Sequence, residues 1–134
     1  MVIDSSALVA IFLNEPERQA FLDHILTADK RLISAANVVE SGIVLESRRG
    51  ETAAREFDLF LHHASIDIVA FDATQAEHAR TAYRLYGKGR HPAGLNFGDC
   101  FTYALAKVSG EAVLAKGEEF AKAGLPVCSV PRDN

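Results

Sequence analysis

Cysteine is scarce in this sequence: Cys100 and Cys128 are the only two, and they stand far apart. Such a pair forms neither a zinc-ligand pattern nor a thioredoxin-like motif, so both are expected to be buried free thiols. Long apolar runs are missing, and none approaches the roughly 20 residues that a membrane span requires. The N-terminus shows no basic stretch ahead of an apolar one and no small-residue cleavage site, so the expected location is the cytoplasm. Positive charge is not in surplus either. The formal net charge of −4 argues against broad electrostatic attraction for nucleic acid, yet a basic rim around an acidic site remains compatible with it. Internal repeats and low-complexity tracts are absent. No serine stands in a nucleophile-elbow pattern, and neither a Walker motif nor a dinucleotide fingerprint occurs. The histidines, His24, His62, His63, His78 and His91, lack metal-ligand spacing and are expected at the surface.

What remains is one domain's worth of ordinary globular chain. Its 134 residues are 49% hydrophobic and 24% charged, enough to bury a core without disulfides or a structural metal. A single domain over residues 1–134 is expected. Short apolar runs over 1–4, 31–34, 66–71, 112–115 and 126–130 predict strands. Helical stripes predict helices over 5–13, 17–28, 36–49, 51–64, 73–86, 99–109 and 118–123. Glu15-Pro16 separates the first two helices, and Gly50 stops the third. The segment 87–98, with four glycines and one proline, reads as a loop, and Gly87-Lys88-Gly89-Arg90 as a flexible basic turn. Strands alternating with helices imply a three-layer α/β/α fold around a mainly parallel sheet. Sites in such folds lie beyond the carboxyl ends of the strands.

The acids fall where that architecture places chemistry. Asp4 joins the first strand to the first helix, a position that also suits a helix cap. Glu40 has Ala36, Asn37, Ile43 and Val44 three and four residues away on its helix, so its carboxylate stands on or beside an apolar stripe. Asp99 opens the helix after the glycine-rich loop, again compatible with capping. Glu118 and Glu119 begin a short helix after the fourth strand. Each acid alone has a bland explanation. Converging on one point they would repel, and at least one would take up a proton unless a divalent cation lay among them. Carboxylates suit Mg²⁺ or Mn²⁺, and phosphodiester hydrolysis is the reaction such a set serves best.

The same residues resemble a known family. Val2-Ile3-Asp4-Ser5-Ser6-Ala7-Leu8 is similar to the opening of PIN-domain ribonucleases, more narrowly of VapC toxins of toxin–antitoxin pairs. Glu40 matches the family's second acid, and Asn96-Phe97-Gly98-Asp99-Cys100-Phe101 matches the segment bearing the third. Lys116-Gly117-Glu118-Glu119-Phe120 resembles its late lysine–glycine–acid–acid–phenylalanine segment, although Ala121-Lys122-Ala123-Gly124 replaces the usual threonine–aspartate that follows. The resemblance spans residues 1 to about 130, and its order and spacing are more specific than any single motif. It implies a Mg²⁺-dependent endoribonuclease, with Mn²⁺ an alternative, in which Asp4, Glu40 and Asp99 hold the metal and Glu118, in preference to Glu119, completes the catalytic acids. Ser6 would support the first acid. It further implies an RNA substrate, a homodimer, and a small antitoxin lying in an apolar groove supplied by the helices over 5–13, 17–28 and 51–64, in a higher assembly. Arg48, Arg49, Arg84, Lys88 and Arg90 are candidates for phosphate contacts. Two other readings are a catalytically inactive PIN-like interaction module and a receiver-like signalling domain using Lys116.

Overall fold

The computed structural model describes residues 1–130, which include every expected strand, helix and loop; residues 131–134 of the expected domain lie outside the described residues. Four strands form the sheet: β1 (Val2–Ile3), β2 (Leu32–Ser34), β3 (Asp67–Val69) and β4 (Val113–Leu114). Their order is β3-β2-β1-β4, and every pairing is parallel. The register pairs Val2 with both Leu32 and Val113. Side chains alternate across the sheet as the pleat requires. Ile3, Ile33 and Leu114 enter one core, whereas Val2, Leu32 and Val113 enter the other.

The helices fill those two cores. α1 (Ser5–Phe12), α2 (Arg18–Thr27), α3 (Ala35–Arg49) and α4 (Glu51–His63) carry the chain from β1 through β2 to β3. They bury Leu8, Ile11, Phe21, Ile25, Leu45, Phe57 and Leu61 on one face of the sheet. α5 (Ala73–Tyr86), α6 (Phe97–Ser109) and α7 (Glu119–Lys122) contribute Ala79, Ala82, Tyr103, Leu105 and Phe120 to the other face. The result is the expected three-layer α/β/α arrangement. The apolar residues of α1, α2 and α4 proposed to line a groove are thus mostly spent on core packing.

The strand order has a direct consequence for the site. The chain moves outward from β1 to β2 and β3, then returns to place β4 on the opposite side of β1. The sheet's switch in direction therefore lies at the carboxyl ends of β1 and β4, where an open α/β sheet leaves a crevice. Asp4 follows β1, and the 115–119 segment follows β4. This order also removes the receiver-like reading, whose sheet runs 2-1-3-4-5 with β1 beside β3.

Local differences from expectation have local causes. α6 begins at Phe97, two residues early, because Asn96 caps it: the Asn96 side chain accepts from the Asp99 amide and the Asp99 carboxylate accepts from the Asn96 amide. Asp99 is therefore the third residue of a capping box rather than the helix's opening residue. The expected strand over 126–130 is reduced to one parallel bridge, Val127 with Val113. The basic turn expected to be flexible is closed on itself, through a Gly87–Leu95 bridge and hydrogen bonds from Lys88 to Leu95 (2.8 Å) and from Leu95 to Tyr86 (2.9 Å). His62 and His63 are exposed as expected, but His24, His78 and His91 are half-buried. His91 is used structurally, its Nδ1 accepting from the Ala93 amide at 3.0 Å. Both cysteines are free; Cys100 is buried and Cys128 half-buried. Burial pushes the Cys100 thiol up to about 11, which makes it unreactive at neutral pH. Among the described residues no helix is long and apolar enough to cross a membrane.

Candidate active site

Asp4 is placed by the end of β1. Its extended backbone lets it cap α1, and its Oδ2 accepts from the Ser6 amide at 3.1 Å. Capping and a site role are not alternatives here, because the same carboxylate is only 3% exposed and its Oδ1 accepts from Thr102 Oγ1 at 2.5 Å. The Ser6 hydroxyl also supports Asp4, while accepting from the Lys116 amide at 2.9 Å. Ser6 thus ties the first acid to the segment after β4.

Glu40 is held from the side by its own helix. Asn37 Nδ2 donates to Glu40 Oε1 at 3.1 Å and to the Gly98 carbonyl at 3.1 Å. Both of its protons are engaged by acceptors, which determines the orientation of the amide; the flipped rotamer would set oxygen against oxygen. Asn37 Oδ1 then faces the Thr102 hydroxyl at 3.1 Å. That hydroxyl has one proton, and the shorter contact directs it to Asp4. Asn37 and Thr102 are fully buried and join the elements bearing Asp4, Glu40 and Asp99. Neither was singled out from the sequence. The available signal was weak: polar residues on otherwise apolar helical stripes, one turn from a candidate acid.

Gly98 allows the close approach of α6 to Glu40. A Cβ there would collide with the Glu40 carboxylate, its carboxyl carbon lying 2.6 Å from the added atom. Asp99, next in the chain, is half-buried and fixed by the Asn96 amide at 3.0 Å. Burial pushes its pKa up to about 7, opposed by the Asn96 hydrogen bond and reinforced by the charges of Asp4, Glu119 and Glu40. Burial also raises Asp4, partly offset by Thr102 and Ser6, with Glu40 adding repulsion. Three acids from three separate elements therefore sense one another. Among the described residues no lysine or arginine forms an ion pair with any of them.

The late segment divides its two glutamates. Glu118 is exposed and precedes α7; Glu119 is half-buried and folds back over Gly117, whose φ of +93° admits the turn. Glu119 is among the charges acting on Asp99. Lys116 turns away, pairing with Glu15 at 3.0 Å and Glu17 at 3.4 Å. Among the described residues no group of three or more His, Cys, Asp and Glu side chains already stands at ion-holding spacing. The donor chemistry nevertheless suits a hard divalent cation: buried and half-buried carboxylate oxygens, mutually repelling, with no countercharge paired to them among the described residues.

Residues 1–125 match the PIN domain family. The chain belongs to that family. A VapC ribonuclease of Mycobacterium bovis is 50% identical over 131 residues, spanning 98% of this chain and 100% of the relative. A ribonuclease VapC of Mycolicibacterium smegmatis is 58% identical over 120 residues, 90% of this chain and 93% of that one. This PIN domain is thus a member of the VapC group. Its fold is shared with VapC20 of Mycobacterium tuberculosis, described as a Sarcin-Ricin loop cleaving toxin, at a TM-score of 0.78 and 18% identity, covering 97% of this chain and 98% of the other. A toxin–antitoxin complex from Klebsiella pneumoniae matches at a TM-score of 0.66 and 16% identity, covering 90% and 89% of the two chains.

Proposed function

We propose that this PIN domain is a Mg²⁺-dependent endoribonuclease, with Mn²⁺ as a substitute, acting as the toxin of a toxin–antitoxin pair. The observation that supports this most is the convergence of Asp4, Glu40 and Asp99 at the sheet's switch point, linked through Thr102 and Asn37. These three would hold the ion. Glu118 would complete the catalytic acids, with Glu119, whose charge acts on Asp99, as the alternative. When bound, the ion would activate water, polarise the phosphate and stabilise the leaving oxygen. The protein's own contribution is positional. Thr102 and Ser6 orient Asp4, Asn37 restrains one oxygen of Glu40, and the capping box sets Asp99. Burial raises the Asp99 pKa to about 7, so a bound cation would favour its ionised form around neutral pH.

Two surfaces support the partners of this reading. A cavity of about 890 Å³ between the start of α2 and the segment after β4, lined by Ala20 and Val127 together with Glu17, Lys116 and Glu118, suits an antitoxin segment that pairs apolar with charged side chains. Val39 and Ile43, one turn apart on α3 and about 60% exposed, suit a homodimer contact. The activity is tested by incubating the protein with RNA and Mg²⁺, with and without EDTA. Cleavage should require the metal and should be lost in the Asp4→Asn plus Asp99→Asn double variant. Unchanged cleavage in that variant would refute the assignment, and absence of cleavage in the wild type would favour an inactive interaction module.

A further inference from the structure

A second cavity, of about 790 Å³, lies between α5 and the start of α6. Its walls combine aromatic rings with cations: Phe71, Tyr83, Phe97 and Phe101 on one hand, Arg80, Arg84, Lys88 and Arg90 on the other. Among the described residues no Asp or Glu lines it. Four of the chain's fourteen lysines and arginines therefore gather in one groove of a protein whose formal net charge is −4.

The aromatic side of the groove is built in series. Phe101 meets Phe71 edge-to-face with ring centroids 4.9 Å apart, and Phe97 meets Phe101 in the same way at 4.8 Å. This fixes the Phe97 ring while leaving it 78% exposed, the most exposed of the large apolar residues described. An immobilised open ring is a platform for stacking. Across from it, Arg90 lies over the Tyr83 ring at 5.8 Å, which holds one of the cations in place. The groove also reaches the acids. Asn96 and Cys100 line it; Asn96 is bonded to Asp99 in the capping box, and Cys100 follows Asp99 in the chain.

We infer that this groove binds an unpaired stretch of the RNA substrate, stacking a base on Phe97 and holding the backbone with Arg80, Arg84, Lys88 and Arg90. The inference rests on the ribonuclease reading for the identity of the polymer. A polyanion is favoured by four cations without an acid. A second copy of the chain is disfavoured, because the two grooves would oppose like charges. An unpaired strand is favoured over a duplex because an A-form helix keeps its base faces stacked internally, where Phe97 has no access to them. Base stacking near the acids would set which phosphodiester lies at Asp99.

The test is binding of a fluorescein-labelled 12-nucleotide single-stranded RNA, and of the matching duplex, to the full chain in EDTA, read by anisotropy. Phe97→Ala should weaken single-strand binding at least about fivefold, Phe97→Tyr should restore it, and duplex binding should change less than about twofold. Replacing Arg84 and Arg90 with alanine should reduce the slope of log affinity against log salt by about 1.4. Should Phe97→Ala melt early, Phe97→Leu keeps the contact with Phe101 without a stacking face. Single-strand affinity unaltered by either Phe97 variant would overturn the inference. So would equal losses for strand and duplex, or dissociation of a dimer with no change in RNA affinity. Cleavage by the wild type alongside unaltered binding by Phe97→Ala refutes the groove alone. Phe97-dependent binding without cleavage in Mg²⁺ refutes the ribonuclease reading alone.

Discussion

Asp99 shows how one residue can serve the helix and burden the fold at the same time. Its carboxylate completes the capping box, yet burial and three neighbouring acids push its pKa from 3.8 to about 7. Between those values the folded protein retains a proton that the unfolded chain has released. The stability from this group is therefore fully present below about pH 3.8 and is lost as pH rises through 7. Asp99→Asn keeps an acceptor for the Asn96 amide but removes the charge. In metal-free buffer this variant should melt higher than the wild type at pH 8, with the gain shrinking as pH falls through 7 and vanishing below about pH 3.8. With allowance for solvent screening at a partly exposed group, the gain should be about 1–2 kcal/mol, or several degrees in a thermal scan. Equal melting temperatures at pH 8 would show that Asp99 is ionised at little cost.

At the scale of elements, α6 carries both the third acid and the wall of the basic groove, and its first turn controls both. Asn96 sets where the helix begins, Phe97 projects into the groove, Gly98 clears space for Glu40, and Asp99 faces the other acids. Asn96→Ala should cost about 1 kcal/mol through the lost cap and should also reduce RNA cleavage, because the Asp99 backbone N–H loses Asn96 Oδ1 and the first turn is less well fixed, although the residue 96 amide can still donate to the Asp99 carboxylate. Asn96→Ser, another good cap, should recover most of the stability when measured by denaturant unfolding. A variant that lost stability with its activity intact would show that the cap is not needed to position Asp99. The α1 to α3 contact is equally consequential. Ser5 Oγ donates to the Asn37 carbonyl at 3.3 Å, so the element holding Asp4 is tied to the one holding Glu40.

For the whole molecule, an acidic site at the meeting of two strand ends carries charge that the proposed cation would relieve. Mg²⁺ should therefore raise the melting temperature, since a ligand that binds only the folded state stabilises it by mass action. The rise should be larger at pH 8 than at pH 6, because a proton on Asp99 would compete with the proposed metal below about 7. Differential scanning fluorimetry with and without EDTA measures this, and a shift that survives removal of all three acids would assign it to another site. The charge distribution fits the same picture. The formal net charge is −4, but cations concentrate in the α5–α6 groove, where they would favour the proposed RNA locally without making the surface generally basic.

Much of this architecture was already legible in the chain. Buried parallel strands show as short apolar runs, and helices as stripes of period 3.6, so the alternation and the three layers followed from residues near one another in sequence. The acids at strand ends and helix starts were visible for the same reason, and their order matched the PIN pattern. Tertiary structure alone supplied the connections between them. Thr102 meets Asp4 across 98 positions and Asn37 across 65, and no local pattern encodes pairings at that range. The turn at Gly117 brings the charge of Glu119 onto Asp99, an interaction that two adjacent glutamates in the sequence do not reveal. The aromatic and basic groove likewise draws on residues from Phe71 to Phe101, which become neighbours only when α5 packs against α6.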